Sequence, residues 1–272
     1  MMQKPFKSYL GGKESSGVYQ TIINHIPKHK TLIIPFLGNC AVFRNIASAD
    51  NTILIDADPR VIKAWAGIIT KEDRSGIITI NDDAISHLQK CRYDQDTTVI
   101  YADPPYPIST RSSRNTKYEY DLTDKDHTAL LMMLLQMKCK ILISTYENEL
   151  YKKMLSTWKL IKYKSQTRSG SRTELLYMNF DINDFELHDY SYLGNNFRQR
   201  ERIKKKIKRH SDRLLRLPKF EALAIMKQLS RDLNIINDVP ARNSINDDVI
   251  SSAVTSKTTI QDLIRINEDV SC

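Results

Sequence analysis

The chain has 272 residues, of which 41% are hydrophobic and 27% charged, enough for one full α/β core with a small appendage and ordinary for a soluble globular protein. No stretch approaches the ~18 consecutive apolar residues of a membrane helix. The polar N-terminus lacks a signal peptide's apolar core, so a cytoplasmic protein is expected.

Within residues 14–26, Val18, Ile22 and Ile26 recur at helical spacing. Short β-branched runs then begin at 31–36, 52–57, 76–80, 97–102 and 138–144, with helical segments between them at 41–48, 59–70, 83–90 and 123–137. Thr123 stands three residues before Asp126, a capping-box-like start to the last of these helices. This alternation predicts an α/β protein with a mostly parallel sheet covered on both faces. Two more strand-like runs, 158–163 and 174–180, are joined by 165–172 and are expected to form a closing β-hairpin.

Beyond Phe180 the character changes. Ile203, Ile207, His210, Leu214 and Leu217 form one apolar seam on a helix whose other faces are basic, and Pro218 ends it. Phe220, Leu223, Met226 and Leu233 predict a second helix packed against the first. Past about Asn234 the chain is polar and weakly periodic, the composition of a partly disordered tail. The expected organisation is an α/β domain over 1–185, a small helical extension over 186–235 and a polar tail over 236–272.

Charge follows the same division. Between Tyr190 and Lys219 eleven Lys and Arg face only Glu201 and Asp212, a local charge of +9 that equals that of the whole chain. A concentrated basic stripe suits phosphate binding, whereas scattered excess charge suits only solubility. Cys40, Cys91, Cys139 and Cys272 are widely scattered without a Cys-x-x-Cys pair. They read as reduced thiols rather than a disulfide frame or a zinc site, and no metal is expected.

The sharpest motif is Val99-Ile100-Tyr101-Ala102-Asp103-Pro104-Pro105-Tyr106, an apolar strand running straight into Asp-Pro-Pro-Tyr. That places the tetrapeptide at the carboxyl end of a strand, the edge where open α/β sheets bind ligands. The prolines remove backbone donors. A carboxylate beside a carbonyl then offers two acceptors, which match the two hydrogens of an amino group. An adenine amine is a poor nucleophile because its lone pair is delocalised into the ring. Bonds from its hydrogens to Asp103 and the Pro104 carbonyl favour a pyramidal nitrogen and stabilise its developing positive charge. Tyr106 can stack on the base, with the ring expected to matter more than the hydroxyl. Such a base must be flipped out of a duplex. No cysteine follows a proline, so the Pro-Cys nucleophile used at cytosine carbon-5 is missing. A turn with a capping Asp after a strand is the plainer alternative.

Over roughly 5–200 the chain resembles the Dam-type family of DNA adenine-N6 methyltransferases. Five segments carry the resemblance in the family's order: Tyr9-Leu10-Gly11-Gly12-Lys13, Pro35-Phe36-Leu37-Gly38-Asn39-Cys40, Ile55-Asp56-Ala57-Asp58-Pro59, Asn81-Asp82-Asp83-Ala84 and Asp103-Pro104-Pro105-Tyr106. The resemblance implies a Rossmann-like methyltransferase fold, S-adenosylmethionine as cofactor and DNA, expected double-stranded, as partner. It implies Asp103, Pro104, Pro105 and Tyr106 as the catalytic loop. Tyr9, Gly12, Lys13, Phe36, Gly38, Asn39, Cys40, Asp56, Asp83 and Asp103 would line the cofactor site. Among them Asp56 would bond the ribose hydroxyls, Asp83 the cofactor's adenine amine, and Lys13 the cofactor carboxylate or the closing pocket. Helix capping is the plainer role for Asp56 and Asp83, and a solvated surface position for Lys13.

Two departures stand out. Cys40 occupies the loop's second glycine position and cannot adopt positive φ freely, which predicts weaker cofactor binding. Only twenty positions separate Asp83 from Asp103, where many Dam-type enzymes insert a DNA-recognition domain. DNA contacts are therefore expected from the loop 107–121 (Arg111, Arg114, Lys117, Tyr118), the hairpin tip (Arg168, Arg172) and the basic helix (Arg198, Lys204, Lys205, Lys208). The helix would hold phosphates while the loops reach base edges. The competing readings are an amino-methyltransferase of another acceptor, such as cytosine-N4 or RNA adenine, and a catalytically weak DNA-binding protein. A cognate restriction endonuclease and the oligomeric state are open at this level.

Overall fold

The structure, a computed structural model, describes residues 3–6, 13–15, 17–69, 76–110, 120–167 and 170–233. The chain divides between Ser211 and Asp212 into two compact units. The first contains a seven-stranded sheet in the order β3-β2-β1-β4-β5-β7-β6. Its strands are β1 (Thr31–Ile34), β2 (Asn51–Asp56), β3 (Ile77–Asn81), β4 (Thr98–Ala102), β5 (Lys140–Thr145), β6 (Lys159–Thr167) and β7 (Gly170–Met178). The first five run parallel, and β7 lies antiparallel to both β5 and β6.

Strand periodicity explains the two cores. Leu32, Ile34, Leu54, Val99, Tyr101, Leu142, Leu176 and Met178 bury one face of the sheet. Ile33, Ile55, Ile100, Ala102, Ile141, Ile143, Leu175 and Tyr177 bury the other. Successive residues thus point to opposite faces, both covered, as a parallel sheet requires. The first face packs against α1 (Val18–Ile23), α2 (Ala41–Asn45) and α3 (Pro59–Ala66), through Val18, Ile22, Val42, Val61 and Trp65. The second packs against α4 (Ala84–Lys90), α5 (Asp124–Gln136) and α6 (Glu149–Met154), through Leu88, Leu130, Leu131, Leu134 and Tyr151. This is the expected Rossmann-like doubly wound sheet with its closing hairpin.

Several boundaries differ from expectation for identifiable reasons. α1 begins only at Val18 because Gly17 holds a left-handed φ of 92°. The α5 capping box is present, with Thr123 and Asp126 bonding each other's backbone N–H. α6 was not expected; its six residues are too few for a clear period, and Asn148 caps it by accepting from the Tyr151 N–H at 2.9 Å. Residues 165–172, expected as a connection, mostly continue the ladder: Ser165 pairs with Arg172 and Tyr163 with Glu174.

Residues 186–193 belong to the first unit rather than to a separate extension. Leu187 bridges Pro27, Asp189 accepts from the Ala47 N–H at 2.9 Å, and the Tyr192 hydroxyl donates to the Asn45 carbonyl at 3.2 Å. α7 (Phe197–Leu215) starts at Asn196, whose side chain accepts from the Gln199 N–H at 2.9 Å. The described part of the second unit comprises the end of α7 and α8 (Lys219–Asp232). Neither helix contains a fully buried residue: Ile203 and Leu214 are half-buried, whereas Ile207 is 54% and Phe220 82% exposed. The polar tail lies outside the described residues. No helix among them is long and apolar enough to cross a membrane, and none of their His, Cys, Asp and Glu side chains cluster as a metal site.

Candidate active site

In the strand order 3-2-1-4-5, the direction of winding reverses between β1 and β4. The loops leaving these two strands part there and leave a crevice at their carboxyl ends. The loop after β1 carries Phe36, Gly38, Asn39 and Cys40; the loop after β4 carries Asp103 to Tyr106.

Local bonds explain the first loop. Gly38 adopts φ 44°, a value that favours glycine. Its N–H donates to Asp56 Oδ2 at 2.8 Å, and its carbonyl accepts from Trp65 Nε1 at 2.8 Å. Asp56, at the end of β2, also accepts from the Asp58 N–H at 2.9 Å, and burial raises its pKa. It therefore ties two loops together, while the helix cap of α3 is Asp58. Cys40 has φ −28° and caps α2, its sulfur accepting from the Phe43 N–H. The expected conflict between Cys40 and positive φ does not arise, because the left-handed residue is Gly38. Asn39 is 3% exposed, and its side-chain oxygen has no partner among the described residues.

Asp83 sits beyond β3 and caps α4 through Oδ1, which accepts from the Ser86 N–H at 2.8 Å. Its other oxygen has no partner among the described residues. The capping role foreseen for Asp83 is thus real and leaves an acceptor over.

Around the second loop the arrangement is denser than the sequence suggested. Lys13 Nζ lies 2.8 Å from Asp103 Oδ1, 2.6 Å from the Tyr106 hydroxyl and 3.3 Å from Glu174 Oε2. Tyr106 in turn donates to Glu174 Oε2 at 2.7 Å, and Tyr163 donates to the same oxygen at 3.2 Å. All three charged side chains are largely buried, with 4%, 16% and 7% exposure for Lys13, Asp103 and Glu174. Burial opposes the Lys13 charge, yet the two carboxylates outweigh it and hold the ammonium protonated. Burial raises the Asp103 pKa despite Lys13, whereas Glu174 is held below the usual carboxylate range because Lys13 and hydrogen bonds overcome its burial. Burial and both carboxylates keep the Tyr106 phenol protonated.

Lys13 does not face solvent, the plainer place foreseen for it; its ammonium is paired with Asp103. Among the described residues it is the one non-glycine with positive φ, at 53°, a conformation that costs about 1–2 kcal/mol and persists only where surrounding contacts enforce it. The Tyr106 ring meets Tyr146 edge-on at 4.5 Å, and its hydroxyl is engaged by both Lys13 and Glu174.

Glu174, Tyr163 and Tyr146 escaped the sequence reading. The available signal was strand alternation: Gly170, Arg172 and Glu174 share one face of β7, opposite Thr167, Ser165 and Tyr163 of β6. Arg172 lies over the Tyr146 ring at 5.3 Å and donates weakly at 3.4 Å to the carbonyl of Thr110, in the segment that follows Tyr106. Arg198, Lys204, Lys205 and Lys208 are exposed on α7. Tyr9, Gly12, Arg111, Arg114, Lys117, Tyr118 and Arg168 lie outside the described residues.

Residues 77–169 match the family model of the D12 class N6 adenine-specific DNA methyltransferases. The match and the resemblance name one family. The matched stretch holds Asp83 and the whole Asp103–Tyr106 loop and stops short of Glu174. Among curated proteins none matches the sequence. Solved structures with a loosely similar fold include an rRNA methylase from Streptococcus thermophilus, at 8% identity over 59% of this chain and 93% of that one, TM-score 0.40. An S-adenosylmethionine-dependent methyltransferase from Agrobacterium tumefaciens is 13% identical over 59% and 58%, TM-score 0.37. Precorrin 8w decarboxylase from Methanobacterium thermoautotrophicum is 12% identical over 59% and 87%, TM-score 0.36. These are too distant to bear on the reaction.

The match over residues 77–169 indicates S-adenosylmethionine as the cofactor. The residues present fit that group. Asn39, on the loop after β1, keeps a buried, unpartnered side-chain oxygen, and Asp83, beyond β3, keeps a spare one. Asp56 has both oxygens in use, yet each retains a lone pair for a ribose hydroxyl.

Proposed function

We propose that this protein is a site-specific DNA adenine-N6 methyltransferase acting on an adenine flipped out of double-stranded DNA. The observation that carries the reading is the short Lys13–Asp103 contact, 2.8 Å from nitrogen to oxygen. It marks an acceptor at the sheet edge already engaged by an N–H donor, the position the reading gives to the adenine amino group.

S-adenosylmethionine supplies an electrophilic methyl on its sulfonium when bound. The chain's part is to prepare the acceptor. Asp103 and the Pro104 carbonyl take the two amino hydrogens, Pro105 fixes the turn between them and Tyr106, and the Tyr106 ring holds the base in line. Asp103, whose pKa is raised by burial, is suited to receive the proton the nitrogen sheds. Asp56, Asp83, Asn39, Phe36 and Gly38 orient the cofactor. Arg172, which reaches the segment that follows Tyr106, is the described residue best placed for a base edge or the flipped nucleotide's phosphate, and Arg198, Lys204, Lys205 and Lys208 supply phosphate contacts.

Incubating DNA with the protein and methyl-labelled S-adenosylmethionine, then digesting it to nucleosides, tests the reading. Label in N6-methyl-2′-deoxyadenosine is expected. Label only in N4-methylcytosine, or transfer only to RNA, would replace the acceptor. Absence of any transfer, together with no thermal stabilisation by the cofactor, would leave a DNA-binding module.

A further inference from the structure

Under this reading the adenine amine engages the Asp103 carboxylate, whose Oδ1 Lys13 holds, and the proton it sheds would neutralise that partner. Lys13 is 7% exposed, so removing its partner would strand an ammonium away from water, a cost of several kcal/mol in general. The structure contains an alternative partner. Glu174 Oε2 is 3.3 Å from the same nitrogen, comes from a different strand, and is buttressed by the Tyr106 and Tyr163 hydroxyls. Passing Lys13 from one carboxylate to the other requires only that one distance shorten while the other lengthens.

We infer that Glu174 is the counter-ion that keeps Lys13 neutralised while the acceptor base occupies Asp103, and so is a positioning residue that sets how readily the base enters. The inference rests on the methyltransferase reading above but concerns a residue outside the matched family segment. The two carboxylates differ as this division of labour requires. Glu174 keeps its charge more firmly than Asp103, because Lys13 and side-chain hydrogen bonds, Tyr106 among them, offset its burial. Lys13 in turn keeps Asp103 oriented before the base arrives.

Glu174→Gln retains an acceptor for Tyr106 and Tyr163 and removes only the charge. In this variant kcat/KM for DNA is expected to fall on the order of 100-fold, mostly through KM, with kcat at saturating DNA changed far less. Adding Lys13→Met to Glu174→Gln removes the stranded charge and is expected to recover at least about tenfold of that loss. Parent-like kinetics in Glu174→Gln would overturn the inference, and so would a loss that Lys13→Met fails to relieve. Should Glu174→Gln not fold, Glu174→Asp retracts the charge by one methylene and is expected to show a smaller loss of the same KM-weighted kind; an unchanged KM there would be equally contrary. The two ideas fail differently. A parent protein that methylates no DNA sinks the functional reading, whereas an active parent insensitive at residue 174 sinks only the counter-ion.

Discussion

At the scale of single residues, the site is a contest for two acceptors. Replacing Asp103 by Ala removes the carboxylate that would hold the amine, and methyl transfer should fall by on the order of 10²–10³-fold or more. Cofactor binding, measured by thermal shift, should persist; retained turnover would remove Asp103 from the centre. Tyr106→Ala should still be the more damaging change at that position. The structure alters what Tyr106→Phe should do, however. Its hydroxyl accepts from Lys13 and donates to Glu174, so Phe is expected to lose activity measurably rather than behave as the parent. Equal rates for Tyr106→Phe and the parent would show the hydroxyl network to be idle. Asp103 and Tyr106 were legible because they are adjacent in one unusual tetrapeptide. Glu174 was not, since a lone glutamate in a strand carries no local signature. Only the pairing of β6 with β7 and of β5 with β7 brings it under Tyr106.

At the scale of elements, the alternating strands and helices were legible from β-branched runs and caps, because each strand is buried on both faces and reads as continuous apolar sequence. The short α6 was not, since six residues supply less than two turns. The hairpin was foreseen, but its strands extend nearly to the tip: polar Lys164, Gln166, Thr173 and Ser171 hide the alternation of a ribbon running past the apolar core. Two elements can be tested directly. Thr123→Ala breaks the capping box of α5 and should cost about 1 kcal/mol of stability in denaturant unfolding; no change would show that the helix end is held by other interactions. On α7, neutralising Lys204, Lys205, Lys206 and Lys208 should flatten the dependence of log K on log salt for DNA, by up to about one unit for each phosphate that is no longer neutralised. An unaltered slope would move the phosphate-binding surface elsewhere on the protein.

At the scale of the whole molecule, two couplings follow. Cofactor at 100 times its dissociation constant should stabilise the fold by about 2.7 kcal/mol, and Asp56→Ala should reduce the thermal shift seen at a fixed concentration. Acid should act through His29, which stacks on His188 at 3.8 Å where residues 186–193 meet the end of α1. Burial, with His188 adding to it and Asp50 opposing it, pushes the His29 pKa from its usual 6.5 down to about 4. Between those values the unfolded chain binds more protons than the folded one. Stability is therefore full above about 6.5 and falls as pH drops towards 4, by at most about 1.4 kcal/mol per pH unit for this group. Equilibrium unfolding of the parent and His29→Gln across that window should show the shallower slope in the variant; parallel curves would assign the acid sensitivity elsewhere.

The account as a whole depends on what occupies the Asp103 carboxylate when a base is present. The most direct measurement is a structure of the protein with DNA and a non-reactive analogue of S-adenosylmethionine. The expected result is an extrahelical adenine whose N6 lies within hydrogen-bond distance of Asp103, its ring against Tyr106, and Lys13 drawn onto Glu174. A flipped base bound elsewhere, with Lys13 still on Asp103, would contradict it.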